Sequence, residues 1–179
     1  MLSLIPAVAE AWKTKRPELL VSSKKIVQAL ADSSKVPSGD EPGEKVLHQG
    51  FSELAKRFDH EFGGFGKGMK FPTPHQLVFL LRYWKKTGQE GALEMAEKTL
   101  LAMRKGGIFD HLGFGFHRYS TDRHWLVPHF EKMLYDQALL LYAYSEAFQA
   151  TKKPFYKQTA LEIGEYVLRD MTSPEGGFY

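Results

Sequence analysis

The chain has 179 residues, which is enough for one domain or a large part of one. Its content of 43% hydrophobic and 13% aromatic residues is that of a folded protein rather than a disordered one. The absence of cysteine excludes disulfides, thiolate metal sites and cysteine nucleophiles. The net charge of +3 is small and the basic residues are scattered, so we expect no nucleic-acid partner. No apolar run approaches the roughly 18 residues that span a bilayer, so we expect no membrane partner and a cytoplasmic location.

The hydrophobic pattern predicts helices over almost every periodic segment. The first two, 4–15 and 17–30, meet at a break before Pro17, because proline suits the first turn of a helix and not its interior. A loop over 33–43 follows, and then a helix over about 44–60. The N-terminal third is therefore predicted to be helical.

A glycine-rich loop leads from this helix to a predicted helical hairpin. Thr73 and Pro74 are a typical helix start, with a hydroxyl cap followed by proline, for a helix over 75–87 that Gly88 ends. Its antiparallel partner covers 90–104. The spacing thus predicts two helices that pack against each other.

Two more helices are predicted in the last third of the chain. One runs from near Pro128 to about Ala150, and the other from Pro154 to Met171. No convincing long strand is present, although short β-hairpins can form within 108–127. The predicted fold class is all-α.

A weak internal repeat connects these helices. A double glycine followed by an apolar residue begins at Gly63, Gly106 and Gly176, after successive helical pairs. Repeated hairpins predict a stack or ring of helices with the glycine-rich loops at one end; alternatively, the paired glycines only mark helix ends. Because Tyr179 closes the chain without a capping helix, we expect a fragment of a longer protein, or self-association through the open edge of an incomplete ring.

The segment 106–136 has the highest density of side chains that could carry chemistry. It reads GGIFDHLGFGFHRYSTDRHWLVPHFEKMLYD and holds four of the seven histidines, together with acids, arginines and aromatic rings. A stretch so polar and so rich in glycine is poor core material, and it predicts the lining of a pocket between two helical segments. The alternative is a hydrogen-bonded connector that does no chemistry.

Three segments carry a family resemblance: FGGFGKGMKFPTP at 62–74, the stretch 106–140, and RDMTSPEGGFY at 169–179. They resemble the family of large proteins in which a thioredoxin-like domain precedes a helical toroid, among them the spermatogenesis-associated thioredoxin-like proteins. The resemblance implies a single partial toroid domain over 1–179, similar to the (α/α)6 barrels of N-acylglucosamine 2-epimerases and six-hairpin glycosidases. The family's thioredoxin-like domain, with its cysteine motif, and the remaining hairpins are not represented, so no redox activity is implied.

The side chains of these loops suit a sugar site, which needs an aromatic wall, a charged group and acid/base groups. The predicted substrate-binding residues are Arg118, Tyr119, Trp125 and Lys70. A sugar epimerase removes a proton next to a carbonyl and returns it to the other face, and two histidines suit this near neutral pH. We therefore favour His117 and His129 as catalytic groups. A glycosidase needs two carboxylates instead, and Asp110 with Glu131 or Asp136 is the best available pair.

The predicted helix start at Pro128 determines which roles are open to the acidic side chains that follow it. It places Glu131 in the first turn, as either a stabilising or a functional acid. On the same helix, Lys132 and Asp136 can form an exposed ion pair, or Asp136 can face inward as an acid or base. The helix register decides between these roles.

Cofactor motifs are not found in the sequence. There is no HExxH motif, and HFEKM at 129–133 has the wrong spacing, so no metal site is predicted, although zinc could collect ligands across loops. No phosphate-binding or dinucleotide fingerprint is present, and we expect no cofactor. The expected partner is a small-molecule carbohydrate of an epimerase- or isomerase-like enzyme. The competing function is a non-enzymatic scaffold or partner-binding helical module.

Overall fold

The computed structural model describes residues 3–35, 39 and 42–179 of the chain. The chain divides into two units, Met1–Pro42 and Gly43–Tyr179. Nearly all regular structure in the described residues is helical, which confirms the all-α fold class.

The first unit contains two helices, α1 (Leu4–Thr14) and α2 (Arg16–Ser33). The predicted break between them is present, and Pro17 lies in the first turn of α2, where a missing N–H costs nothing. No described side chain of either helix is buried. Part of the predicted loop over 33–43 lies outside the described residues, namely 36–38, 40 and 41.

The second unit contains five helices and one short pair of antiparallel strands. In chain order these are α3 (Glu44–Arg57), α4 (Pro74–Thr87), α5 (Glu90–Lys105), β1 (Tyr119–Ser120), β2 (Pro128–His129), α6 (Leu134–Thr151) and α7 (Pro154–Asp170). All but α6 lie close to the predicted bounds.

The predicted start of α6 was wrong. Pro128 and His129 do not open a helix but form β2, which pairs with β1. The backbone is still extended at Met133, with ψ of 135°, and the helix begins at Leu134. Glu131 therefore lies in an extended segment and not in a first turn. Proline is tolerated both at a helix start and at the first residue of a strand, so the local signal could not separate the two.

The two ends of α4 show how local chemistry sets the length of a helix. Gly88 adopts a left-handed conformation with φ of 72° and donates its N–H to the carbonyl of Trp84 at 2.7 Å, as predicted. At the other end, the helix begins at Pro74 as expected. The hydroxyl of Thr73, however, makes no capping hydrogen bond, so the predicted cap is wrong.

Helices α4 and α6 lie side by side and run in the same direction. Arg82 of α4 bonds to Glu146 of α6, with 2.6 Å between Nη2 and Oε1. The loops that precede the two helices also meet, since Lys70 and Ser120 exchange backbone hydrogen bonds of 3.0 and 2.8 Å. Contacts both at mid-helix and before the N-termini require a parallel pair. α5 packs on α4, and α7 packs on α6.

The core of the second unit lies among these four helices and the loop between α5 and α6. It is built from apolar side chains that water cannot reach, among them Leu77, Leu80, Leu100, Met103, Ile108, Phe116, Leu140, Tyr144 and Ile163. Their burial supplies the main favourable term for folding of this unit.

Three glycine-rich loops gather at the end of the unit where α4 and α6 begin. We call them the first loop (58–73), the second loop (106–133) and the third loop (171–179). The first and second loops are joined by the Lys70 and Ser120 hydrogen bonds. Arg169, just before the third loop, donates to the carbonyl of Gly113 in the second loop at 2.6 Å. The predicted gathering of loops at one end is confirmed.

Among the described residues, the helices are all too short or too polar to cross a membrane.

Candidate functional site

A buried ion-pair cluster locks the first loop to the second. Lys70 is 0% exposed, and its Nζ donates to Asp59 Oδ2 at 2.7 Å. Arg123 of the second loop donates to both oxygens of the same carboxylate, at 2.7 and 2.9 Å. Burial opposes ionisation, but these two cations hold the pKa of Asp59 well below its usual range. The structure thus places Lys70, a predicted substrate-binding residue, inside the protein as the partner of Asp59.

Trp125, another predicted substrate-binding residue, also lies inside. Its indole is 1% exposed, and Nε1 donates to the carbonyl of Phe62 at 3.0 Å. Gly64 passes across the ring with φ of 73°, and a Cβ at that position would lie 2.5 Å from the indole. Only glycine fits such an approach. The ring is covered by protein, so its role here is packing between the two loops.

Asp110 shapes the turn of the second loop. Its Oδ1 accepts the backbone N–H groups of Leu112 and Gly113 at 2.9 and 2.8 Å, and its Oδ2 accepts from Lys132 Nζ at 2.8 Å. Burial opposes ionisation, but these donors hold the pKa of Asp110 well below its usual range. Of the two alternatives for Asp136, the exposed ion pair with Lys132 is wrong, because Lys132 pairs with Asp110 and Asp136 is buried.

The β1–β2 hairpin brings four predicted residues onto one partly exposed surface. The ring of Tyr119 stacks on His129, with 4.8 Å between centroids, and on Phe71 of the first loop at 4.7 Å. Beside them, Arg118 Nη1 donates to Glu131 Oε2 at 2.9 Å, and His129 Nδ1 lies 3.7 Å from the same oxygen. We call these five residues the hairpin surface. It combines stacked rings with a charged pair, a mixture that suits polar ligands with an apolar face.

Two more predicted residues, His117 and Asp136, carry buried polar atoms with no partner among the described residues. These atoms are His117 Nδ1 and Asp136 Oδ2. The His117 ring packs edge-on against Phe130 at 5.2 Å, and Asp136 lies in the first turn of α6. Gln137, next to Asp136, is hydrogen-bonded through its side chain to the backbone N–H and C=O of Phe116, next to His117, at 2.8 and 2.6 Å. The contact between their neighbours therefore joins the backbone segment that carries His117 to the start of α6, which carries Asp136.

The environment changes the acidity of both groups. Burial raises the pKa of Asp136 to about 6, against the opposing charge of Arg118. Burial, together with the charge of Lys132, lowers the pKa of His117. Both shifts favour the neutral form, because a charge is poorly solvated there. A carboxyl group with this pKa can gain and lose a proton near neutral pH, as acid/base catalysis requires.

Sequence reasoning missed three residues at this end of the unit: Thr73, Gln76 and Gln137. Thr73 Oγ1 and Gln76 Oε1, at the start of α4, are also buried without a partner in the described structure. Gln137 is fully buried. A polar side chain on the inward face of a helix's first turn is a signal that could have identified these residues. The misplaced start of α6 removed that signal for Gln137.

The remaining histidines of the second loop have separate neighbours. His111 lies 3.2 Å from a guanidinium nitrogen of Arg104 and 3.0 Å from the carbonyl oxygen of Gly106. The ring of His124 packs edge-on against Phe62 at 4.3 Å. In the part of the chain that the structure describes, no three His, Asp or Glu side chains are grouped as metal ligands would be.

Comparison with known sequences finds relatives along nearly the whole chain, although no protein-family model matches it. The chain is 46% identical over 180 residues to spermatogenesis-associated protein 20 of Homo sapiens, covering 96% of this chain and 23% of that protein. It is 34% identical over 184 residues to the uncharacterized protein B0495.5 of Caenorhabditis elegans, covering 99% and 25%. The chain thus spans about a quarter of the length of these curated relatives.

Comparison with solved structures finds helical toroids. Cellobiose 2-epimerase from Bacillus thermoamylovorans superimposes with a TM-score of 0.65 at 18% identity, covering 76% of this chain and 40% of that one. A heparin-specific unsaturated glucuronyl hydrolase gives 0.59 at 17% identity, covering 73% and 40%. A D-mannose isomerase gives 0.53 at 24% identity, covering 65% and 30%. At these identities the likeness establishes the fold alone, which is that of the (α/α)6 toroids.

The sequence relatives and the arrangement of the helices agree with the predicted resemblance and confirm it. The chain belongs to the family of spermatogenesis-associated protein 20, and it has the fold of a part of an (α/α)6 toroid.

Proposed function

We propose that the loop end of this toroid binds a sugar and moves a proton at the carbon next to the sugar carbonyl, as an epimerase or isomerase does. The observation that carries the proposal is a pair of buried polar atoms at that end, His117 Nδ1 and Asp136 Oδ2, that have no hydrogen-bond partner among the described residues. Leaving two such atoms unpaired costs stability, which is typical of groups kept for a ligand or for chemistry.

At slightly acidic pH, the proposed reaction needs His117 as a neutral base and Asp136 as a protonated acid. The neutral imidazole of His117 takes the proton from the sugar carbon and leaves an enediolate, and protonated Asp136 delivers a proton to the opposite face. Because the pKa of Asp136 is about 6, the protonated acid is well populated there. This pair differs from His117 with His129, since His129 lies on the hairpin surface, where its ring stacks on Tyr119.

The hairpin surface supplies the sugar-holding groups of the proposal. Phe71 is 50% exposed and continues the ring stack of Tyr119 and His129. Arg118 and Glu131 are each about two-fifths exposed and offer donors and acceptors for hydroxyl groups. Hydrolysis by paired carboxylates has less support, because both oxygens of Asp110 already accept hydrogen bonds from Leu112, Gly113 and Lys132.

The test combines binding and chemistry in the 179-residue chain. We would add cellobiose and mannose, record the ring resonances of the histidines by NMR, and follow deuterium uptake at C2 of each sugar in D₂O. We expect the His117 resonances to shift and C2 exchange to exceed the buffer rate. His117→Gln and Asp136→Asn should each reduce the exchange by about 100-fold or more, the usual contribution of one acid or base.

His111→Gln is the matched control, because His111 lies in the same loop but is bonded to Arg104 and Gly106. It should keep both binding and exchange. If neither sugar shifts any histidine and no exchange occurs, the proposed chemistry is wrong for this chain. The non-enzymatic helical module is then the better description.

A further inference from the structure

We propose that Gln137 is a positioning residue that fixes His117 relative to Asp136. The inference rests on the proposed function, because it concerns the same pair of groups. Gln137 is fully buried and lies directly after Asp136 at the start of α6. Its side chain joins α6 to the residue that directly precedes His117.

The geometry of the contact is that of a two-point clamp. The Phe116 N–H donates to Gln137 Oε1 at 2.8 Å, and Gln137 Nε2 donates to the Phe116 carbonyl at 2.6 Å. Two bonds to the N–H and the C=O of one residue, which belong to consecutive peptide groups, fix the position and orientation of its backbone, which a single bond does not. Both bonds are buried, so water cannot replace them when they break.

The other backbone bonds near His117 connect it to different parts of the second loop. The His117 N–H donates to the Ile108 carbonyl at 2.8 Å, and the Arg118 N–H donates to the Glu131 carbonyl at 2.6 Å. These bonds hold the segment within its own loop and do not involve α6. The clamp provides hydrogen bonds between this segment and the helix that carries Asp136.

The experiment replaces the clamp and observes His117 directly. Gln137→Met keeps the length of the side chain and removes both hydrogen bonds, and Gln137→Asn keeps the amide but withdraws it by one methylene. For each folded variant, NMR gives the ring resonances of His117 and its titration midpoint. We expect both variants to move the resonances and the midpoint, and to reduce any C2 exchange through the rate at saturating sugar rather than through sugar affinity.

Tyr144→Phe is the matched control. It removes another buried bond between an α6 side chain and a backbone carbonyl, Tyr144 Oη to Leu100 at 2.7 Å, and keeps the ring that stacks on Phe116. It should lower the melting temperature and leave the His117 titration unchanged. If a folded Gln137 variant leaves the His117 resonances and midpoint as in the wild type, the positioning role is overturned. If the variants move His117 but no sugar binds the wild type, the clamp stands and the proposed function fails.

Discussion

At the residue scale, the buried carboxyl group of Asp136 lowers the stability of the folded protein when it is ionised. Its carboxyl group is buried at the start of α6, and Oδ2 makes no compensating hydrogen bond to any residue that the structure describes. Burial therefore raises its pKa from 3.8 to about 6. The folded state binds this proton more tightly than the unfolded state does, so ionisation of Asp136 weakens folding.

Asp136→Asn should therefore stabilise the protein at neutral pH while it slows the proposed proton transfer. The wild type loses stability as the pH rises from about 4 to 6, and the shift of roughly two units corresponds to about 3 kcal/mol at most. We expect the variant to gain about 1–3 kcal/mol in the free energy of unfolding above pH 7 and almost nothing near pH 4. Urea unfolding at the two pH values measures this. An equal effect at both would show that the carboxyl group is not perturbed as described.

At the element scale, the second loop depends on close contacts between backbones. The double glycine at its start runs against the segment that follows Trp125, where the Ile108 N–H donates to the Trp125 carbonyl at 3.1 Å. A Cβ at Gly107 would lie 2.1 Å from the carbonyl oxygen of Leu126. The repeat of paired glycines seen in the sequence therefore has a packing cause at this position, beyond marking the end of α5.

Gly107→Ala should be strongly destabilising, because the obstructing atom belongs to the backbone and cannot rotate away. We expect a loss of about 2–4 kcal/mol in the free energy of unfolding, measured by chemical denaturation. Gly164→Ala is the control: it lies inside α7 with no atom within 4 Å of the added Cβ, and it should stabilise by about 0.5–1 kcal/mol. Equal effects of the two variants would contradict the close approach at Gly107.

At the scale of the whole molecule, the loop end is held together by ionised aspartates. Asp59 and Asp110 each bind a lysine and backbone N–H groups, and Asp122 accepts the N–H groups of Leu126 and Val127. Burial opposes ionisation in all three, yet these donors lower each pKa. A lowered folded-state pKa adds stability above the ordinary value, and this stability disappears as the pH falls below it.

The protein should consequently unfold in acid, with stability falling below about pH 4 as these carboxylates take up protons. Lys132→Met removes a partly buried donor of Asp110, so it should cost about 1–3 kcal/mol at neutral pH and move the acid transition to higher pH. Far-UV circular dichroism during acid titration reports both effects. Lys56→Gln breaks only an exposed pair with Glu53 and should leave the transition in place. An unshifted transition in Lys132→Met would count against this account.

Local sequence patterns predicted most of the helices. Apolar residues with a period of 3.6, bounded by a proline or a glycine, are typical of an α-helix. They failed at Pro128, where the same proline signal served a strand, and this error moved Glu131 and Lys132 onto a helix that does not include them. The density of polar groups in 106–136 correctly drew attention to the second loop, although it could not say which of those groups face inward.

The sequence by itself determined the all-α class, the hairpin repeat and the loops that carry the candidate chemistry, since these depend on the pattern of residues along the chain. The family followed from the resemblance of three segments to known proteins. Only the tertiary structure decided the roles of individual side chains. Lys70 and Trp125 became buried loop contacts, while His117 Nδ1 and Asp136 Oδ2 were left buried without a hydrogen-bond partner in the described part of the chain. The physical reason is that burial and hydrogen-bond partners set the pKa of a group and its availability to a ligand, and both depend on residues distant in sequence. Asp59, for example, is paired with Arg123, and Gln137 with Phe116.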